Sequence, residues 1–158
     1  MATFDRAIGT VLEHEGGYTF DPADPGGETN FGLSKRQYPN LDLKNLTVDQ
    51  AKAIYKRDYW RYGRIRNQDV ATKVFDMAVN VGPPTAHRLL QTALNALGQK
   101  LAVDGVFGPL TLAATNGVNP DQLLRELRAR AAVQYADIVL RNPAEQKFLL
   151  GWMRRAVS

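Results

Sequence analysis

Glu13-His14-Glu15-Gly16-Gly17-Tyr18-Thr19-Phe20-Asp21-Pro22-Ala23-Asp24-Pro25-Gly26-Gly27-Glu28-Thr29-Asn30-Phe31-Gly32-Leu33 crowds carboxylates, glycines, prolines and aromatics into one short run. The residues ahead of it have helical spacing. Phe4, Ile8 and Val11 share one side, flanked by Ala7 and Leu12. Glu15, four residues past Val11, extends that apolar stripe, whereas Glu13 faces the opposite way. Gly16-Gly17 is expected to stop the helix in the left-handed conformation of a C′ residue. The spacing thus predicts a carboxylate at a helix C-terminus, partly out of water. The negative helix end and the burial both disfavour its charged form, as a general acid working near neutrality requires.

Past Gly17 the run reads as a tight, irregular hairpin. Tyr18-Thr19-Phe20 and Asn30-Phe31-Gly32-Leu33 are its short β-like pieces, and Pro22, Pro25, Gly26 and Gly27 force turns between them. Asp24 falls at the expected tip and Thr29 on the returning side. An acid at a helix end facing a loop carboxylate suits glycoside hydrolysis. One protonated carboxyl gives its proton to the leaving oxygen; a second carboxylate activates water or stabilises the oxocarbenium-like transition state. Asp21 is the main rival to Asp24, with Glu13 and Glu28 as spare carboxylates.

Glu15-Gly16-Gly17-Tyr18, followed by Asp24-Pro25-Gly26-Gly27-x-Thr29-Asn30-x-Gly32-Leu33, resembles the signature of glycoside hydrolase family 108, the N-acetylmuramidases of phage endolysins and secretion-linked bacterial muramidases. The order Glu15, Asp24, Thr29 is also similar to the catalytic trio of the phage-type lysozymes, with the Asp-to-Thr gap one residue shorter. The resemblance implies a mainly α, lysozyme-like helical domain with one small β-hairpin beside the active site. It implies cleavage of the β-1,4 bond between N-acetylmuramic acid and N-acetylglucosamine. Glu15 would be the general acid, Asp24 would hold or activate the water, and Thr29 would help position it. Phe75 to Gly82 also resembles a segment of this family and raises Asn80 as a glycan contact, against the simpler role of a helix-end cap. Tyr18, Tyr59 and Trp60 are further candidate glycan contacts. With the water held between Asp24 and Thr29, a wide carboxyl separation of about 6.5–9.5 Å and inversion are expected. No metal or cofactor is implied.

The chain of 158 residues suits one domain with a sizeable core. It has no cysteine and only two histidines. That removes disulfides, thiol nucleophiles and thiolate metal sites, and argues against zinc amidase or cysteine peptidase chemistry on the cell wall. The net charge of +4 favours anionic partners such as outer-membrane or wall polymers. Met1 to Asp5 lacks a basic region followed by an apolar one, so no Sec-type signal is expected. Synthesis in the host cytoplasm, release by a holin or export partner, action on the wall or periplasm, and a monomeric state are the matching expectations.

Further along, Ser34 to Gln37 and Thr47 to Gln50 both read as capping boxes opening helices, and Thr3 as the first helix's N-cap. Lys52, Lys56, Arg57, Arg61, Arg64 and Arg66 form the most cationic region, with Tyr55, Tyr59, Trp60 and Tyr62 interleaved. Such a pattern binds nucleic acid, stacks on sugar faces, or is simply a helix face with its aromatics in the core; no nucleic-acid partner is expected. Asp69 is expected to cap a helix to Val81, ended by Gly82-Pro83-Pro84, and Thr85 to cap the next, stopped by Gly98. Leu90-Gln91 with Val103 to Thr111 resembles the repeat of small helical peptidoglycan-binding modules. Pro109, Asn119-Pro120 and Asn142-Pro143 each open a helix. With no linker visible, residues 1–158 are expected to be one compact domain, 1–90 catalytic and 91–158 a peptidoglycan-binding-like part packed on it. Two other readings stay open. A lytic transglycosylase needs only the glutamate. A non-enzymatic wall or membrane binder would use the last helix, with Phe148, Leu149, Leu150, Trp152 and Met153 beside Lys147, Arg154 and Arg155.

Overall fold

The computed structural model describes residues 1–20 and 27–158. Asp21, Asp24 and the expected hairpin tip lie outside the described residues. Among those described, the chain is mainly α, with one small antiparallel sheet. Its elements are α1 (Phe4–His14), β1 (Thr19–Phe20), β2 (Glu28–Asn30), β3 (Leu33–Ser34), α2 (Val48–Asp58), α3 (Gln68–Val81), α4 (Pro83–Ala96), α5 (Pro109–Gly117), α6 (Pro120–Arg141) and α7 (Leu149–Val157). A short 3-10 helix, Pro143–Phe148, leads into α7.

The centre is α3. Val70, Ala71, Lys73, Val74, Phe75, Asp76, Met77 and Ala78 are all buried, so the helix is covered on nearly every side. It packs against α1, α4 and α6, and α7 lies along α6. The buried apolar side chains form one cluster running from Ala2 to Ala156.

Several helix ends follow the sequence. Thr47 and Gln50 form the full reciprocal capping box of α2. Pro109 opens α5, and Asn119 caps α6 by accepting from the amides of Asp121 and Gln122. Gly98, at φ 89°, stops the chain just past α4.

Others differ for local reasons. Asn67 caps α3 by accepting from the Val70 amide, which leaves Asp69 inside the first turn where its charge suits the helix dipole. The Pro83-Pro84 pair opens α4 instead of standing between helices, because proline at the first helical positions wastes no hydrogen bond. Thr85 is therefore already inside α4. Thr3 precedes α1, but its hydroxyl caps nothing. Its backbone is instead bracketed by the Gln68 side chain, which accepts from the Thr3 amide at 2.8 Å and donates to its carbonyl at 3.2 Å.

The expected single hairpin is part of a three-stranded meander, β1-β2-β3. Thr19 faces Thr29 across β1 and β2, and Asn30 faces Leu33 across β2 and β3. Phe31-Gly32, read as strand, is the turn between β2 and β3, with φ 49° and 76°. Positive φ at both central residues is the hairpin geometry that matches strand twist. Ser34 ends β3. Its side chain and carbonyl accept from Gln37 and Tyr38, which makes one turn and no helix.

Candidate active site

Glu15 stands at the C-cap of α1, where the sequence puts it. Its backbone is extended (φ −89°), and its amide still donates to the Val11 carbonyl. Gly16 and Gly17 are not in the left-handed region. The chain leaves the helix through an extended Glu15, which swings the carboxylate toward the meander.

There it lies over Gly32. A Cβ built on Gly32 would come within 2.6 Å of both Glu15 Cδ and the Tyr55 hydroxyl. Glycine is required twice at this position, by the positive φ and by the carboxylate. The buried Tyr55 hydroxyl donates to the Phe31 carbonyl at 2.7 Å, so α2 pins the turn against Glu15. Burial, then the Glu15 charge, pushes the Tyr55 phenol well above its ordinary range, so it stays a neutral donor.

On its other side Glu15 accepts from a residue 140 positions away. Arg155 Nη1 donates to Glu15 Oε1 at 2.8 Å. Its Nε and Nη2 both reach Asp76 Oδ1 at 2.9 Å. Lys73 Nζ donates to the Arg155 carbonyl at 2.6 Å. Asp76, Lys73 and Arg155 are only 1%, 3% and 5% exposed. Burial alone would lower the Arg155 pKa, but the charges and hydrogen bonds of Asp76 and Glu15 outweigh it and raise the pKa. Burial drives Lys73 the other way, down to about 8, against the pull of Asp76. Among the described residues, Asp76 Oδ2 and the Tyr135 hydroxyl are buried without a hydrogen-bond partner. A cavity of about 250 Å³ reaches Lys73 and Asp76 between Arg6, Thr10, Arg128 and Ser158; Glu15 is not in its lining. Reading the sequence from burial and the helix end alone left out this guanidinium.

The other candidates are distributed around this centre. Thr29 presents its hydroxyl to Thr19 across the sheet at 2.6 Å. Tyr18 is exposed at the start of β1; limited desolvation and the neighbouring Glu28 raise its phenol pKa. Tyr59 stacks at a tilt on Tyr55, 5.8 Å between centroids. Trp60 is drawn into an aromatic cluster, edge-on to Phe4, Tyr62 and Phe75. Asn80 is half-buried in the last turn of α3, one turn beyond Asp76. Asp24 lies outside the described residues.

Lys73, Asp76 and Arg155 were missed. The signal was present: each sits in an apolar helical register, Lys73 and Asp76 among Val70, Val74 and Met77, and Arg155 beside Trp152 and Ala156. That is the rule that singled out Glu15. Their pairing spans 79 and 140 positions, which no local spacing reports. Arg155, grouped with a cationic membrane-facing edge in the sequence, is buried in this network instead.

A carboxylate held at the end of α1, above a glycine turn and open to a small sheet, is the layout of a lysozyme-like glycosidase. Residues 8–82 match the model of the glycosyl hydrolase 108 family, and residues 85–157 match the model of a predicted peptidoglycan domain. Among solved structures it is similar to that of Brucella abortus SagA, at 29% identity and a TM-score of 0.76, over 97% of this chain and 88% of that one. No match is found among curated proteins. The protein has a mainly α, lysozyme-like fold and is a glycoside hydrolase acting on peptidoglycan.

Proposed function

We propose that the enzyme is an N-acetylmuramidase that cuts the β-1,4 bond between N-acetylmuramic acid and N-acetylglucosamine, with Glu15 as general acid. The observation that carries this reading is the clamping of Glu15 between Gly32 and the buried Arg155–Asp76 pair. Fixing the acid on a rigid helix end, with Gly32 exposed beside it, leaves room for a sugar ring over the turn. The proton passes from Glu15 to the glycosidic oxygen as the bond to the anomeric carbon breaks. Asp24 takes a proton from a water on the opposite face of the ring, and that water closes on the anomeric carbon. Thr29 steadies the water: the Thr19–Thr29 hydroxyl pair uses one of its two protons internally and keeps one to donate. Tyr18, Tyr59 and Asn80 contact the glycan, while Trp60 packs in the aromatic cluster of Phe4, Tyr62 and Phe75.

Glu15→Gln keeps an acceptor for Arg155 but has no proton to give. Hydrolysis of purified murein should fall by about 10²–10⁴-fold, with the fold retained by circular dichroism and some stability lost with the Arg155 counter-charge. Activity within tenfold of wild type would remove Glu15 from this role. Product chemistry tests the water: the first product should be a reducing α-anomer by NMR. A 1,6-anhydro sugar in the mass spectrum would mark a lytic transglycosylase, and a β-anomer would rule out the inverting role given to Asp24 and Thr29.

A further inference from the structure

The most cationic run of the sequence has no part in the chemistry around Glu15. Arg61, Arg64 and Arg66 are all exposed on the loop between α2 and α3. Two cavities of about 420 and 330 Å³ open along this loop. They share Arg64, Pro109 and Leu112, so they form one groove between the loop and α5. No carboxylate lines it. Among the described residues, none of the three guanidiniums forms an ion pair; Arg61 reaches only backbone carbonyls, at 3.3 Å.

The walls of the groove are fixed. Asn116 of α5 accepts from the Arg66 amide at 2.9 Å and donates to the Arg64 carbonyl at 3.1 Å. His87, in the floor, uses one ring nitrogen on the Tyr62 hydroxyl and the other on the Gly105 carbonyl. Three unpaired cations on a prebuilt groove are arranged for an anion that comes from outside.

We propose that this groove binds the free carboxylates of the peptide stems carried by the glycan substrate. The inference rests on the glycosidase reading and adds a second attachment point to it. Guanidinium forks match planar carboxylates in bidentate pairs. Phe107, Pro109, Leu112 and Ala113 give the groove an apolar floor, which suits the short aliphatic side chains of a peptide better than a phosphodiester backbone. The arginines come from the part matched by the glycosidase family, and the floor from the part matched by the peptidoglycan domain. The groove thus lies at the seam between them, at the end of α1 away from Glu15, where the Ala2 amide donates to the Ile65 carbonyl at 2.9 Å.

The test is the Arg64→Ala/Arg66→Ala double variant, read by binding and by turnover. NMR titration with a free anionic stem tetrapeptide should shift the amides around Arg64–Arg66 and Asn116 in wild type, with affinity at least about tenfold weaker in the variant. KM on peptide-bearing murein should rise by a similar factor, while kcat, the melting temperature and cleavage of peptide-stripped glycan stay unchanged. Arg64→Lys, which keeps charge without the fork, should lie between. Equal losses on both substrates, or unchanged tetrapeptide binding, would overturn the proposal. So would arginine-dependent binding of polyphosphate or DNA without binding of the tetrapeptide. If the tetrapeptide binds as expected but wild type cuts neither substrate, the groove stands and the glycosidase reading falls.

Discussion

At Gly32 one missing methyl group decides whether the acid can hold its place. Gly32→Ala would set a Cβ within 2.6 Å of both Glu15 Cδ and the Tyr55 hydroxyl, at φ 76°. Neither neighbour yields easily, since Glu15 is held by Arg155 and Tyr55 by the Phe31 carbonyl. The substitution should cost about 1–3 kcal/mol in stability and, by displacing Glu15, about 10²-fold in kcat. Urea unfolding and turnover read both; a variant with wild-type kcat would show that Glu15 tolerates displacement. Glu15 was legible in the sequence because a carboxylate interrupted the stripe of Phe4, Ala7, Ile8 and Val11, all of which are buried. Gly32 was legible only as a turn former. Its second duty depends on where the Glu15 side chain goes, and that is set by a residue at the far end of the chain.

The elements were read best where a side chain closes its own helix, as in the Thr47–Gln50 box and the Asn119 cap. They were read less well where two local options competed, as at Asn67 against Asp69, or Phe31-Gly32 as strand against turn. In such places tertiary contacts choose. The α3 helix was legible to within two residues of its start, but two of its buried positions carry charge that its apolar spacing does not announce. Lys73 makes that testable. Its pKa of about 8 lies below the ordinary 10.5, so between those values the unfolded chain binds more protons than the folded one. Stability therefore rises with pH across that window, and the gain is lost again as pH falls through about 8. Lys73→Met removes the term. The stability of wild type minus that of the variant should grow by the order of 1–3 kcal/mol between these two pH values, followed by urea unfolding at several pH values. A difference independent of pH would mean that Lys73 does not titrate there.

Across the whole molecule, the glycosidase part and the part after it share more than a seam. The α3 helix lies against α6, and the buried cluster runs on to Ala156. A chain ending after Leu97 would expose the apolar faces of α3 and α4 and leave Asp76 and Glu15 without Arg155. It should be insoluble or molten, with retained far-UV but lost near-UV circular dichroism and strong dye binding. A cooperatively folded, fully active 1–97 fragment would show that the two parts are independent. The Glu15–Arg155 contact also sets a clock on biosynthesis. A ribosome adds about 5–20 residues per second, so Glu15 emerges roughly 7–30 s before the arginine that fixes it has been translated. Nascent and prematurely released chains therefore carry the acid without its clamp, and the cutting centre comes together only once Arg155 has been translated.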